Sequence, residues 1–118
     1  MPLINLKVSS SKIDNANQLL KDLSKELAGL TKKPERYVMT ILQTDVPMLF
    51  GGTSDPCCYV EVKSIGALTP SEMSKSLCNL IESKAKIPAD RIYISFEDVP
   101  ASLWGFNGQT FGWSKIYL

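Results

Sequence analysis

Lys33-Pro34-Glu35-Arg36-Tyr37-Val38 has an echo in Ile87-Pro88-Ala89-Asp90-Arg91-Ile92-Tyr93, read with one residue inserted. Pro34 and Pro88 lie 54 residues apart, and so do Pro2 and Pro56. Pro2 precedes the apolar run Leu3-Ile4-Asn5-Leu6, and Pro56 precedes Cys57-Cys58-Tyr59-Val60. Between each pair of prolines lies a helical pattern. Ala16, Leu19, Leu20, Leu23, Leu27 and Leu30 recur at steps of three and four, which gathers them on one helix face. Met73, Leu77, Leu80, Ile81 and Ala85 do the same in the second half. The offset maps Leu23 onto Leu77 and Leu27 onto Ile81, so the two helices share a facing. Ser11 with Asp14 is the expected start of the first helix. Thr69, Pro70 and Glu72 mark the second as N-cap, first-position proline and capping-box partner.

Strand, helix, strand, repeated, makes two βαβ units, each with parallel strands joined by a right-handed crossover. The expected architecture is α/β (α+β): a four-stranded mixed sheet with both helices on one face. A single domain spans residues 1–118, with repeats at about 1–54 and 55–108. Tyr37-Val38-Met39-Thr40-Ile41-Leu42 reads as apolar on both sides of its pleat, and Ile92-Tyr93-Ile94-Ser95-Phe96 nearly so. Two helices cover only one sheet face. A bare apolar face would exceed what monomers usually expose, so further copies of the chain are expected to cover it.

Composition excludes several classes. A net charge of +1 offers no field for nucleic acid or an anionic membrane. No apolar run approaches the roughly 18–20 residues that cross a bilayer. The first residues lack the basic-then-apolar layout of a signal peptide, so a cytoplasmic location is expected. Three cysteines and no histidine make a zinc site improbable. Cys57, Cys58 and Cys78 read as small, reduced, buried residues.

The absence of histidine turns attention to the chain's start. Histidine is the side chain that normally titrates between about pH 5 and 8. The α-amino group is one of few others, at about 7.7–8.0. Once Met1 is removed from Met1-Pro2, the chain opens on a secondary amine able to act as a base. Taken alone, proline after methionine is a common opening. Two glycine-containing turns punctuate the plan, at Phe50-Gly51-Gly52-Thr53 and at Trp104-Gly105-Phe106-Asn107-Gly108. Phe96, Trp104, Phe106, Phe111, Trp113 and Tyr117 crowd the C-terminal end, where they either pack a core or an interface or line a pocket for a flat ligand.

The ordered set of Met1-Pro2, Lys33-Pro34 with Tyr37, Phe50-Gly51-Gly52-Thr53-Ser54-Asp55-Pro56-Cys57, Ser64-Ile65-Gly66, Pro88 followed by Asp90-Arg91-Ile92-Tyr93-Ile94, and Trp104-Gly105-Phe106-Asn107-Gly108 with Thr110-Phe111 resembles the macrophage migration inhibitory factor family of the tautomerase superfamily. The resemblance implies a doubled βαβ unit assembled as a homotrimer with active sites at subunit interfaces. It implies Pro2 as catalytic base, Lys33 as the cation for a substrate carboxylate, and the Ile65 backbone N–H as an assisting donor. It implies that Tyr93 reaches the pocket from a neighbouring subunit, and that Tyr37, Phe106 and Phe111 shape the wall. Trp104 stands where the family often has a smaller residue, and Ser95 where the vertebrate member has asparagine. A serine is shorter and offers fewer hydrogen bonds. Vertebrate members carry a CxxC pair linked to thiol oxidoreductase activity; here Cys57 is present but Val60 takes the second position, so no comparable redox role is expected. Residues 112–118 extend past the usual family end and read as an apolar strand packing on a neighbour.

The implied activity is cofactor-independent keto–enol tautomerisation of small aromatic α-keto acids such as phenylpyruvate. An apolar pocket and a nearby Lys33 both disfavour a charged amine, which suits a base working near neutral pH. Lys33 by itself reads equally as a solvated cation at a helix C-terminus. The alternative is a cytokine-like binding protein with incidental tautomerase activity, exported without a signal peptide if the source is an animal or a parasite. A third reading, dehalogenation or decarboxylation of small unsaturated acids, would need pocket arginines and a carboxylate that the sequence does not locate.

Overall fold

A computed structural model describes residues 1–113. It contains β1 (Leu3–Val8), α1 (Ala16–Thr31), β2 (Met39–Gln43), β3 (Cys58–Ser64), α2 (Pro70–Ala85), β4 (Ile92–Asp98), β5 (Gly105–Phe106) and β6 (Gln109–Thr110). The principal sheet has the order β2-β1-β3-β4. β1 pairs parallel with β2, and β3 parallel with β4. The two units meet through the antiparallel pair β1 and β3.

The repeat is closer than its sequence suggests. α1 and α2 are 16 residues each and occupy equivalent positions at the 54-residue offset. Lys32 and Lys86 both end their helices in the left-handed conformation, at φ 57° and 60°. Pro34 and Pro88 then introduce matching 3-10 turns, Glu35–Tyr37 and Ala89–Arg91. Val38 and Ile92 close those turns at the same offset, so there is no inserted residue between the two segments. Tyr37 belongs to the turn, and the strand starts at Met39.

Both helices lie on one side of the sheet. Leu19, Leu23 and Leu27 of α1 and Met73, Leu77 and Ile81 of α2 are fully buried against Ile4, Leu6, Val8, Val60 and Val62. Burying each such side chain stabilises the fold by about 1.5–3 kcal/mol. The equivalent positions Leu23 and Leu77, and Leu27 and Ile81, share this facing as expected. The helix starts differ from expectation. α1 begins after Asn15, held at φ 54°, and neither Ser11 nor Asp14 caps it. Thr69 does precede Pro70 at the start of α2, but its side chain makes no capping bond. With proline at the first helical position one of the orphan N–H groups is already missing, so less remains for a cap to satisfy.

The other sheet face corrects the sequence reading. The ladder registers place Met39, Leu3, Lys63 and Glu97 in one row across it, then Ile41, Asn5, Glu61 and Ser95, then Gln43, Lys7, Tyr59 and Tyr93. The face is therefore mixed and largely polar. Its side chains pair across strands: Gln43 Nε2 donates to Asn5 Oδ1 at 2.9 Å, Tyr59 Oη and Ser95 Oγ are 2.8 Å apart, and Lys63 lies 3.8 Å from Glu97. The strand Ile92-Tyr93-Ile94-Ser95-Phe96 alternates, with Ile92, Ile94 and Phe96 toward the helices and Tyr93 and Ser95 outward. A bare apolar face is thus not what this sheet offers.

Arg91 ties the junction of the two units. Its guanidinium donates to four backbone carbonyls: Pro56 at 3.0 Å, Phe50 at 3.3 Å, Thr53 at 3.3 Å and Asp55 at 2.9 Å. It also lies 5.3 Å from the centre of the Phe50 ring. Within that junction Phe50 and Thr53 exchange backbone bonds of 3.0 and 3.1 Å around Gly51-Gly52. Gly51 and Gly52 have φ 59° and 81°, the positive values such a two-residue turn requires. Asn107 and Gly108, at φ 53° and 81°, build the same kind of turn between β5 and β6. Phe111–Trp113 is a 3-10 turn, not a strand, and the remainder of the C-terminal extension, 114–118, lies outside the described residues.

Candidate active site

The start of the chain is held inside the molecule. Met1 and Pro2 are buried, and the Met39 N–H donates to the Pro2 carbonyl at 3.1 Å, continuing the β1–β2 ladder back to residue 2. Beside them opens a cleft of about 230 Å³ lined by Met1, Pro2, Leu3, Arg36, Tyr37, Val38, Met39, Trp104, Gly105, Phe106 and Phe111.

Local sequence explains each wall. Pro34 sets up the 3-10 turn in which the Tyr37 N–H donates to the Pro34 carbonyl at 3.0 Å, which turns Tyr37 toward the cleft. The Asn107-Gly108 turn folds β6 back on β5, and the Phe111 N–H reaches the Trp104 carbonyl at 3.1 Å. Three aromatic rings then meet: Tyr37 packs edge-on to Phe106 at 5.6 Å, and Phe106 stacks on Phe111 at 5.7 Å. Phe111 is buried while Phe106 is partly open to solvent. The result is a flat-sided slot with aromatic walls and the chain's amino end at one side.

The electrostatics favour an uncharged amine. Burial is the larger cause and the Lys33 charge the second; together they hold the Met1 α-amino group below its ordinary range. Lys33 follows directly on the left-handed Lys32 that ends α1, and its N–H donates to the Ala28 carbonyl at 3.2 Å.

The remaining residues expected at the site lie elsewhere in the chain. Ile65 follows β3 at a bend where the Gly66 N–H donates to Asp98 Oδ1 at 2.9 Å. Tyr93 and Ser95 are on β4, separated from β1 by β3. Tyr93 is 67% exposed and packs edge-on against Phe50 at 4.8 Å. It lines a second cavity, of about 340 Å³, with Met48, Leu49, Phe50, Gly51, Cys57, Cys58 and Tyr59. One chain therefore brings Pro2, Tyr37, Trp104, Phe106 and Phe111 together and leaves Tyr93 and Ser95 on the far strand.

Two residues were not singled out from sequence. Arg36 is on the cleft wall, and the only sequence signal for it was its place two residues after Pro34. Tyr59 is the hydrogen-bond partner of Ser95, and its position opposite Tyr93 in the ladder was readable only once the register was known. The three cysteines are free thiols; burial is the main cause pushing Cys58 up to about 12 and holding Cys78 above the usual thiol range. Among the described residues no group of three or more histidine, cysteine, aspartate or glutamate side chains could hold a metal ion. No helix among them is long and apolar enough to cross a membrane.

The sequence profile of macrophage migration inhibitory factor (MIF) matches residues 1–112. The chain belongs to the macrophage migration inhibitory factor family. It is 36% identical over 114 residues to macrophage migration inhibitory factor of Xenopus laevis, covering 94% of this chain and 99% of that one. It is 36% identical over 115 residues to the macrophage migration inhibitory factor homolog of Brugia malayi, covering 95% and 100%. The crystal structure of a macrophage migration inhibitory factor homologue from Prochlorococcus marinus superposes with a TM-score of 0.89 at 59% identity, covering 93% of this chain and 99% of that one. The four-stranded mixed sheet with two helices is thus the fold of MIF structures. Membership in the MIF family, within the tautomerase superfamily, carries isomerase-type chemistry at that coarse level, alongside the cytokine roles for which the family is known.

Proposed function

We propose that this chain is a cofactor-independent keto–enol tautomerase that uses Pro2, freed by removal of Met1, as general base on small aromatic α-keto acids such as phenylpyruvate. One observation carries the reading: the Met1 amine lies in an aromatic cleft where burial and Lys33 both favour its neutral form, and Pro2 lines the same cleft, so its freed nitrogen would meet the same surroundings. A neutral amine can accept a proton; an ammonium cannot. The Met1 side chain lines the cleft, so its removal both unmasks the Pro2 nitrogen and enlarges the cavity.

In this mechanism the Pro2 nitrogen takes a proton from the carbon beside the substrate's keto group. The electron pair moves onto the carbonyl oxygen as an enolate, and that oxygen then gains a proton to give the enol. The reverse sequence yields the ketone. Lys33 attracts the carboxylate, and Tyr37, Phe106 and Phe111 form the wall against which the aromatic ring packs. The exposure of Tyr93 and its distance in the sheet order from β1 support a site completed by another copy of the chain, in a homotrimer, with Tyr93, Ser95 and its partner Tyr59 facing the cleft of a neighbour.

N-terminal mass spectrometry and a Pro2→Gly variant test the proposal. The mature protein should begin at Pro2, and Pro2→Gly should lose most of its ketonisation of phenylpyruvate. Retained Met1, or undiminished activity in the variant, would overturn it. Sedimentation equilibrium of the purified protein should return three times the chain mass; a monomer would remove the interface part of the proposal.

A further inference from the structure

We infer that Arg36 is a second anion anchor at the mouth of the cleft and directs it toward aromatic acids that carry a second carboxylate. The inference rests on the cleft beside Pro2 being the substrate site, and goes beyond it by naming a substrate class. Arg36 lines the same cleft as Pro2, Tyr37 and Phe106. Its guanidinium lies 4.7 Å from the centre of the Tyr37 ring. Stacking of this kind holds the planar group by its face and leaves its N–H edge to meet a ligand. The side chain is exposed, and its neighbour Glu35 does not pair with it; among the described residues no carboxylate is within ion-pair distance of Arg36. Arg91 supplies the contrast within the same fold. That arginine is saturated by four carbonyls and an aromatic ring, whereas Arg36 lies over one ring and has no carboxylate within ion-pair distance among the described residues.

The chemistry that fits is a flat acid with charge at both ends. The cation felt at the amine is Lys33, and the cation on the wall is Arg36. The stacked rings of Phe106 and Phe111 line the same cleft as Arg36. A ligand whose first carboxylate is drawn to Lys33, and whose ring lies in the slot, presents a substituent on its ring to the guanidinium. A carboxylate there accepts two parallel N–H bonds from arginine, a geometry a lysine ammonium cannot match.

The test is binding, which does not depend on turnover. Isothermal titration of the mature protein would compare 3-phenylpropanoate with 3-(4-carboxyphenyl)propanoate, non-reactive acids that differ in one carboxylate. The diacid should bind more tightly than the monoacid in the natural protein. Arg36→Gln should reduce that preference by about tenfold, the loss expected for one charge-assisted pair at a partly exposed site. Arg36→Lys should restore only part of it. An unchanged preference in Arg36→Gln, or complete rescue by lysine, would overturn the inference. Circular dichroism of both variants, at an exposed position, verifies that they are folded. Because the Pro2→Gly assay reports on the base and these titrations on the second carboxylate, failure of one reading is distinguishable from failure of the other.

Discussion

Replacing Arg91 with alanine removes four hydrogen bonds from one side chain and should loosen the junction between the two halves. The bonds run from 2.9 to 3.3 Å and end on the carbonyls of Phe50, Thr53, Asp55 and Pro56. A hydrogen bond to a charged donor contributes about 1.5–3 kcal/mol when buried. Only the bond to Phe50 is partly buried; the other three are open to solvent, where water replaces the lost donor. Discounting them to about 0.5 kcal/mol each, with about 1 kcal/mol for the bond to Phe50, gives roughly 2.5 kcal/mol. Loss of the cation over the Phe50 ring adds about 0.5 kcal/mol. The expected loss is therefore about 3 kcal/mol, or a melting temperature lower by roughly 10 °C for a domain of this size. Calorimetry at matched protein concentration measures it, since any assembly makes the melting temperature depend on concentration. Hydrogen exchange localises it: the Phe50 and Thr53 amides, which close the Gly51-Gly52 turn, should lose protection first. Arg91→Lys should recover less than half, because an ammonium cannot span four acceptors around a loop. A loss below about 0.5 kcal/mol, or full recovery by lysine, would refute the reasoning.

Further outcomes follow from the same structure. Burial and Lys33 hold the Met1 amine below its ordinary range, and the Pro2 amine freed beside it should meet the same surroundings; the rate of phenylpyruvate ketonisation should then rise with pH and level off below the ordinary range of such an amine. Lys33→Met should move that midpoint upward, since one of its two causes is gone; a pH–rate profile of kcat/KM decides. Leu23→Ala and Leu77→Ala occupy equivalent, fully buried positions and should each destabilise by about 2–5 kcal/mol, measured by urea unfolding. In the folded protein the Cys58 thiol, pushed up to about 12 mainly by burial, should resist iodoacetamide at neutral pH, with the half-buried Cys78 labelled before it, as peptide mass mapping would report.

What the sequence made legible was whatever repeats or alternates. The prolines and the leucine spacing place both helices and all four strands of the main sheet, because a period of 3.6 and a pair of start signals at one offset leave little freedom. Asn107-Gly108 announces its turn because few other residue pairs tolerate two successive positive φ values. The outer sheet face was misread because Tyr93 counts as apolar in a run, yet stands outward beside Ser95 with its ring on Phe50. Of the candidate site, Pro2 and the aromatic residues that line the cleft with it were named through the family resemblance. Arg36 was not, because an exposed arginine after a proline looks like any solvated surface residue until the turn beneath it is built. The Arg91 junction has no signature at all: its acceptors are backbone carbonyls, which every sequence has.

The proposed role of Pro2 constrains what can be joined to its nitrogen. As the proposed base, that amine tolerates nothing in front of it. A purification tag, a retained methionine, an acetyl group or an upstream protein domain would convert the Pro2 nitrogen to an amide and place bulk where the substrate belongs. Gene fusions that preserve the proposed chemistry must therefore add their cargo after residue 118. On the proposed mechanism, activity would depend on the aminopeptidase that trims nascent chains, and an inhibitor of that enzyme would silence the chemistry without touching the fold.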